Sequence, residues 1–269
     1  MSGIFSLSPL HEHADPTQRV LGLAKLPPDS KQIAQLLVAD PAAEVRAAAA
    51  ARCEDGAALA AALRAEAEPA VRAEIAQALA RALAGMHNAD AAQALLCAGE
   101  CTDAIRIDVA RRAADPERRH MAIASLREES ALIELALTAG RADTRKEAAG
   151  RVQTLAGLKA LAEAAQEKDR GVATLARARV REINRRAARQ AEADAVLAQL
   201  EAVAAESGPI LTAVVNLSHR WEELDLPEDA ARSARFEAVW QTIQARFDRE
   251  QQEQRSRAKF EQRANQWLA

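Results

Sequence analysis

One short phrase returns along the first two thirds of the chain. An acidic residue, often followed by proline, leads within a few positions to an arginine that opens a helix-compatible stretch. The copies are Asp15-Pro16 with Arg19, Asp40-Pro41 with Val45-Arg46, Glu68-Pro69 with Val71-Arg72, and Ile105-Arg106. Asp115-Pro116 with Arg119, Asp143-Thr144-Arg145 and a degenerate copy at Asp169–Ala173 follow. The arginines stand at 19, 46, 72, 106, 119 and 145, in steps of 27, 26, 34, 13 and 26. The step of 13 is half of 26, so one helix of about 13 residues, ~20 Å long at 1.5 Å per residue, is the half-unit. A pair of such helices cannot bury its apolar face alone, so its neighbours must stack on it.

Local chemistry supports helices throughout. An acid before proline predicts an N-cap with proline at the first helical position, where its missing N–H costs nothing. Four of the nine prolines (16, 41, 69 and 116) stand in that setting. Between the arginine-led stretches lie second apolar segments: QIAQLLVA, AALAAALRA, AAQALLCA, ALIELALTA and AGLKALAEAA. Alanine makes up 68 of 269 residues, against 10 Gly, 4 Phe, 3 Trp and no Tyr. That composition favours close helix–helix packing and argues against sheets, which need β-branched and aromatic strands. The predicted fold class is all-α.

The D-P-x-x-x-V-R-x-A-A pattern of Asp40–Ala49 and its looser copies resembles the HEAT repeat. The resemblance covers roughly residues 12–178. It implies a right-handed α-solenoid of helix pairs over 13–180, after an N-terminal tail at 1–12. A long helix, basic then acidic, is predicted over 181–207, with Gly208-Pro209 as its stop. A small helical hairpin then follows over 208–269, its halves joined by the loop DLPEDA. Between Phe5 and Trp221 there is no aromatic residue, whereas all three Trp and three of the four Phe lie in the last 60 residues. That contrast predicts a boundary near Gly208. Trp221, Leu224, Arg235-Phe236, Trp240 and Arg246-Phe247 are similar to a helical module of unknown function in bacterial HEAT-repeat proteins. Members are often longer, so the chain reads as bacterial and as compatible with the N-terminal part of a larger protein.

Two sets of arginines are candidates for function. The repeat arginines Arg46, Arg72, Arg106, Arg119 and Arg145 are expected to pair with acids at neighbouring turns, forming a ladder that sets the stacking. The alternative is a phosphate-binding row. Arg177, Arg181, Arg185 and Arg189 are four apart and drift only ~40° per step, so they form one stripe on a helix. With Arg170 they make up the predicted partner- or phosphate-binding set. From Arg170 to Gln190 seven arginines face one acid, Glu182. A guanidinium stays charged and reaches phosphate or carboxylate with two parallel bonds. The alternative for this stripe is a solvated helix face. No aromatic is interleaved, so backbone contact rather than base stacking would be the mode on a nucleic acid.

Other chemistries lack the residues they need. Cys53, Cys97 and Cys101 form no C-x-x-C pair, no H-x-x-x-H occurs, and no metal or cofactor is predicted. His11-Glu12-His13 resembles one ligand pair of the di-iron HEAT-repeat hydroxylases, which use several. The repeats hold no aromatic residue for a HEAT-like glycosylase cleft. G-x-S-x-G and G-x-G-x-x-G are absent. Three cysteines fit a reducing compartment, the opening MSGIFSLSPLHEH does not read as a secretory signal, and no run is long enough to span a membrane. The net charge of −3 argues against a general duplex binder. The expectation is a cytoplasmic, non-catalytic scaffold for a protein partner, with nucleic acid as the rival partner and a HEAT-like enzyme as a distant third.

Overall fold

Polar side chains set the helix starts. Asp15, Asp55, Asn88, Asp115 and Thr154 each accept a hydrogen bond from a backbone N–H two or three residues on, satisfying a donor with no partner inside the helix. Pro16, Pro69 and Pro116 open their helices in the first turn. Asp40-Pro41 departs from expectation: its helix begins at Ala43, and Asp40 ends the preceding one. Asp40 instead accepts from the Ala42 N–H at 2.8 Å. Glu68 makes no cap bond; Glu66 accepts from the Glu68 N–H in its place.

The computed structural model describes residues 9–28, 30–206, 209–224 and 229–268, and among them the chain is all-helical, with no strand. A 3-10 turn at Leu10–Glu12 precedes α1 (Pro16–Leu23), α2 (Lys31–Ala39), α3 (Ala43–Arg52), α4 (Gly56–Ala65) and α5 (Pro69–Gly85). Then come α6 (Ala89–Cys97), α7 (Asp103–Arg112), α8 (Pro116–Ala124), α9 (Glu129–Thr138), α10 (Ala142–Arg151) and α11 (Leu155–Ala164). The last three are α12 (Arg170–Ala205), α13 (Leu211–Glu223) and α14 (Ala230–Leu268). Residues 1–8 of the expected tail, the Gly208 stop and residues 225–228 of the DLPEDA loop lie outside the described residues. No helix among the described residues is long and apolar enough to cross a membrane.

The chain divides into two units, 1–180 and 181–269. In the first, helices pack on the next but one: α1, α3, α5, α7, α9 and α11 make one row, and α2, α4, α6, α8 and α10 a second. Leu23, Ile33, Leu37, Leu59, Ile75, Leu79, Leu83, Leu96, Ile123, Leu135 and Leu158 are fully buried there. Each contributes about 1.5–3 kcal/mol by leaving water. Ala49, Ala50, Ala80, Ala110, Ala122, Ala136, Ala148 and Ala149 are fully buried as well, and their small side chains let the rows approach closely. The expected tail is corrected over Leu10–Glu12, which packs on α1. Gly22 permits this: a Cβ there would stand 2.4 Å from the His11 backbone nitrogen.

In the second unit, Val196 and Leu200 of α12, Ile210, Val214 and Leu217 around α13, and Val239 and Ile243 of α14 form one apolar core. Trp221 stacks on Phe236 at 4.7 Å, and Phe236 on Trp240 at 5.9 Å. The boundary expected near Gly208 is therefore corrected. The apolar positions of α12 after residue 192 join this core, so α12 from Arg181 to Ala205 is part of the aromatic-bearing unit. The two helices expected over 208–269 are α13 and α14, the second of them 39 residues long.

Gly22→Ala should destabilise the protein by about 1–3 kcal/mol, since backbone must move to admit the methyl group. Gly150→Ala, in α10 with nothing within 4 Å of its Cβ position, should stabilise it by about 0.5–1 kcal/mol. Urea-unfolding midpoints of the two variants, moving in opposite directions, check this pair.

Candidate functional site

Every repeat arginine occupies the fourth residue of its helix: Arg19 in α1, Arg46 in α3, Arg72 in α5, Arg106 in α7, Arg119 in α8 and Arg145 in α10. From that position the side chain folds back over the helix start. In Arg19, Arg46, Arg119 and Arg145, Nη1 donates to the carbonyls six and five residues earlier, which are His13 and Ala14, Asp40 and Pro41, Ala113 and Ala114, and Ala139 and Gly140. The rest of the guanidinium then reaches forward to an acid in the first turn of the next helix in the row or in the loop just before it. Arg19 grips Asp40 with two bonds of 2.7 and 2.8 Å, and Arg46 grips Glu66 with bonds of 2.7 and 2.9 Å. Arg119 meets Asp143 at 2.7 Å, and Arg145 meets Asp169 at 2.7 Å.

Arg72 and Arg106 differ. Arg72 Nη1 donates to the carbonyls of Leu63 and Glu66. Arg106, only 1% exposed, donates to the carbonyls of Leu96 and Ala98 and to its own neighbour Asp103. Asp103 is then the acid that reaches forward, accepting from the N–H groups of Arg127 and Glu128 before α9. Glu129 repeats the gesture on Gln153 and Thr154 before α11. The forward arginine–acid link thus moves from the α1–α3–α5 row to α8, α10 and the start of α12. The half-step between Arg106 and Arg119 is where it changes rows.

The acids titrate accordingly. Hydrogen bonds from Arg46 first, helped by the Glu68 N–H, hold the Glu66 carboxyl at about 2 against its ordinary 4.5. Burial pushes the Asp40 carboxyl upward, but the bonds from Arg19 and Ala42 outweigh it and hold it below the usual range. The Arg145 contact holds Asp169 low as well.

A second arginine set was not singled out by sequence reasoning. Arg52 donates to the Leu26 carbonyl, Arg81 to Ala51, Arg118 to Met86, Arg127 to Cys97, Arg151 to Ala124, and Arg179 to Gly150. Each acceptor lies at or just beyond the C-terminal end of a helix 26–32 residues earlier, where carbonyls lack intrahelical partners. The available signal was a second arginine six residues after the first, as in Arg46/Arg52 and Arg145/Arg151.

The expected binding arginines stand on α12. Arg170, Arg177, Arg181, Arg185 and Arg189 are all exposed. Arg177 donates to Gln166, and Arg185 pairs with Glu182. Arg170, Arg181 and Arg189, and with them Arg186, meet no carboxylate among the described residues. From Arg181 to Glu192 no residue is buried. Arg145, engaged by Asp169, does not extend this run.

Cys53 and Cys101 are buried free thiols and Cys97 is an exposed one; burial pushes Cys101 up to about 11. No cluster of three or more His, Cys, Asp or Glu able to hold a metal ion occurs among the described residues. No protein-family model matches the chain, and no curated protein matches it significantly.

Because the folded-state value of Glu66 lies below the unfolded one, the stability it carries is present above about 4.5 and is lost as pH falls toward about 2. The gap in urea midpoint between wild type and Glu66→Gln should therefore be constant from about pH 7 to pH 5 and narrow steadily below that.

Proposed function

We propose that the chain is a non-catalytic scaffold. Its first unit is read as an α-solenoid of HEAT-like helix pairs, and the arginine run of α12 docks an acidic segment of a protein partner. Two rows of helices joined by repeated arginine links support the solenoid reading. The observation that carries the docking reading is the run Arg181–Glu192, which buries nothing and in which Arg181, Arg186 and Arg189 meet no carboxylate among the described residues. The repeat and helix-end arginines of the first unit are, by contrast, engaged by carbonyls or acids. Unengaged guanidiniums repel one another, so a concentration of them is relieved by an anionic surface.

The rival ligand is a nucleic-acid backbone, which the same unpaired guanidiniums would suit. The absence of aromatic residues along the run, which leaves no stacking platform for bases, favours the acidic protein segment.

Fluorescence anisotropy with a labelled oligoglutamate peptide, single-stranded RNA and single-stranded DNA separates the two, at about 50 and 200 mM salt. The peptide should bind, more weakly at the higher salt, and lose about tenfold or more in affinity in Arg181→Ala/Arg185→Ala/Arg189→Ala. Tighter binding of RNA or DNA than of peptide would transfer the run to nucleic acid. Absence of binding by all three at low salt would remove it as a docking site.

A further inference from the structure

A cavity of about 660 Å³ opens in the first unit between the C-terminal ends of α3 and α5, with Pro28 on a further side. That volume is in the range of clefts that hold small molecules. Part of its wall is apolar, from Pro28, Ala82 and Met86; the rest carries Arg52, Arg81 and His87, with Glu54 as its carboxylate. The cavity takes no part in the α12 reading.

Both guanidiniums are held in place by main chain. Arg52 Nη2 donates to the Leu26 carbonyl at 2.6 Å, and Arg81 Nη2 to the Ala51 carbonyl at 3.0 Å. These are the bonds that tie them to neighbouring helix ends. A guanidinium has five N–H donors, so both on Nη1 and one on Nη2 remain unused in each among the described residues. Arg52 Nε is shut off from solvent with no acceptor. At the rim Gly85 has no side chain, and a Cβ there would meet nothing within 4 Å. Donors already fixed in position bind an anion without the entropy cost of ordering two long side chains.

We infer that this cavity is a binding site for a small organic phosphate monoester. A carboxylate, with two oxygens, is satisfied by one guanidinium fork. Two guanidiniums and an imidazole lining one space match a dianion with three acceptor oxygens. Pro28, Ala82 and Met86 supply the surface on which the molecule's apolar body rests.

Isothermal titration calorimetry of the full chain tests this, with phenyl phosphate as the probe, benzoate as the carboxylate comparison and inorganic phosphate as the comparison without an apolar body. Phenyl phosphate should saturate one site, with the other two about tenfold weaker or worse. Arg81→Met, at an exposed residue whose hydrogen bond is to a single carbonyl, should weaken phenyl phosphate about tenfold. Gly85→Leu, which puts a side chain into open space, should abolish binding. Arg181→Ala/Arg185→Ala/Arg189→Ala should leave it unchanged, which separates this site from the α12 run. Absence of saturation by phenyl phosphate, equal binding by benzoate or inorganic phosphate, or binding unaltered in both cavity variants would overturn the assignment.

Discussion

An arginine at the fourth residue of a helix can do two things at once, and the first unit depends on both. Folded back, it supplies donors to the carbonyls of the preceding loop, which the helix itself leaves unsatisfied. Reaching forward, it holds an acid in or just before the first turn of the next helix in the row. That acid is itself occupied with its own helix start, as Asp40 is with the Ala42 N–H and Asp169 with those of Gly171 and Val172. Every link therefore fixes the end of one helix against the end of the next. The Arg19–Asp40 pair, with side chains 11% and 2% exposed, is buried enough that losing one partner strands the other's charge.

Register matters here because much of the core between the rows is alanine, set among fewer large side chains. A face of alanines is smooth and tolerates sliding more readily than ridges of leucine and isoleucine do. The charged links specify which turn meets which, and the fully buried Leu79, Leu83, Leu96 and Leu135 supply the burial that stabilises it. The row change between α7 and α8 follows from the same economy of donors. Arg106 is consumed by the carbonyls of Leu96 and Ala98 and by Asp103, so Asp103 carries the forward link to α9, and Arg119 restarts the arginine version in the other row. In the exposed run of α12, Arg181, Arg186 and Arg189 make none of these engagements among the described residues.

Much of the helical pattern could be read from sequence, because acid, proline and arginine act locally and in a fixed order. Asp15-Pro16 and Asp115-Pro116 open helices for reasons contained within three residues. Where reading failed, a distant partner decided. Asp40 turns to Arg19, 21 residues away, and its helix starts two residues late. The helix-end arginines were missed because their acceptors are backbone carbonyls about 30 residues back, and any residue type presents one. The C-terminal boundary was misplaced because aromatic content marks a core's composition and not its limits. Val196 and Leu200 belong to that core without being aromatic. The exposure of Arg181 and Arg189 could be argued from charge alone; the cavity beside Arg52 and Arg81 could not, since the repeat spacing stacks α3 on α5 without saying that a space is left at their C-terminal ends.

The most direct test of this account is a double-mutant cycle on Arg145 and Asp169, using Arg145→Met and Asp169→Asn. Asparagine still accepts the Gly171 and Val172 N–H bonds, so the cycle isolates the link between helices. Urea unfolding should give a coupling free energy of about 1 kcal/mol or more. Losses that add to within ~0.3 kcal/mol would mean that the arginine–acid contacts do not couple successive helices, and would contradict the account.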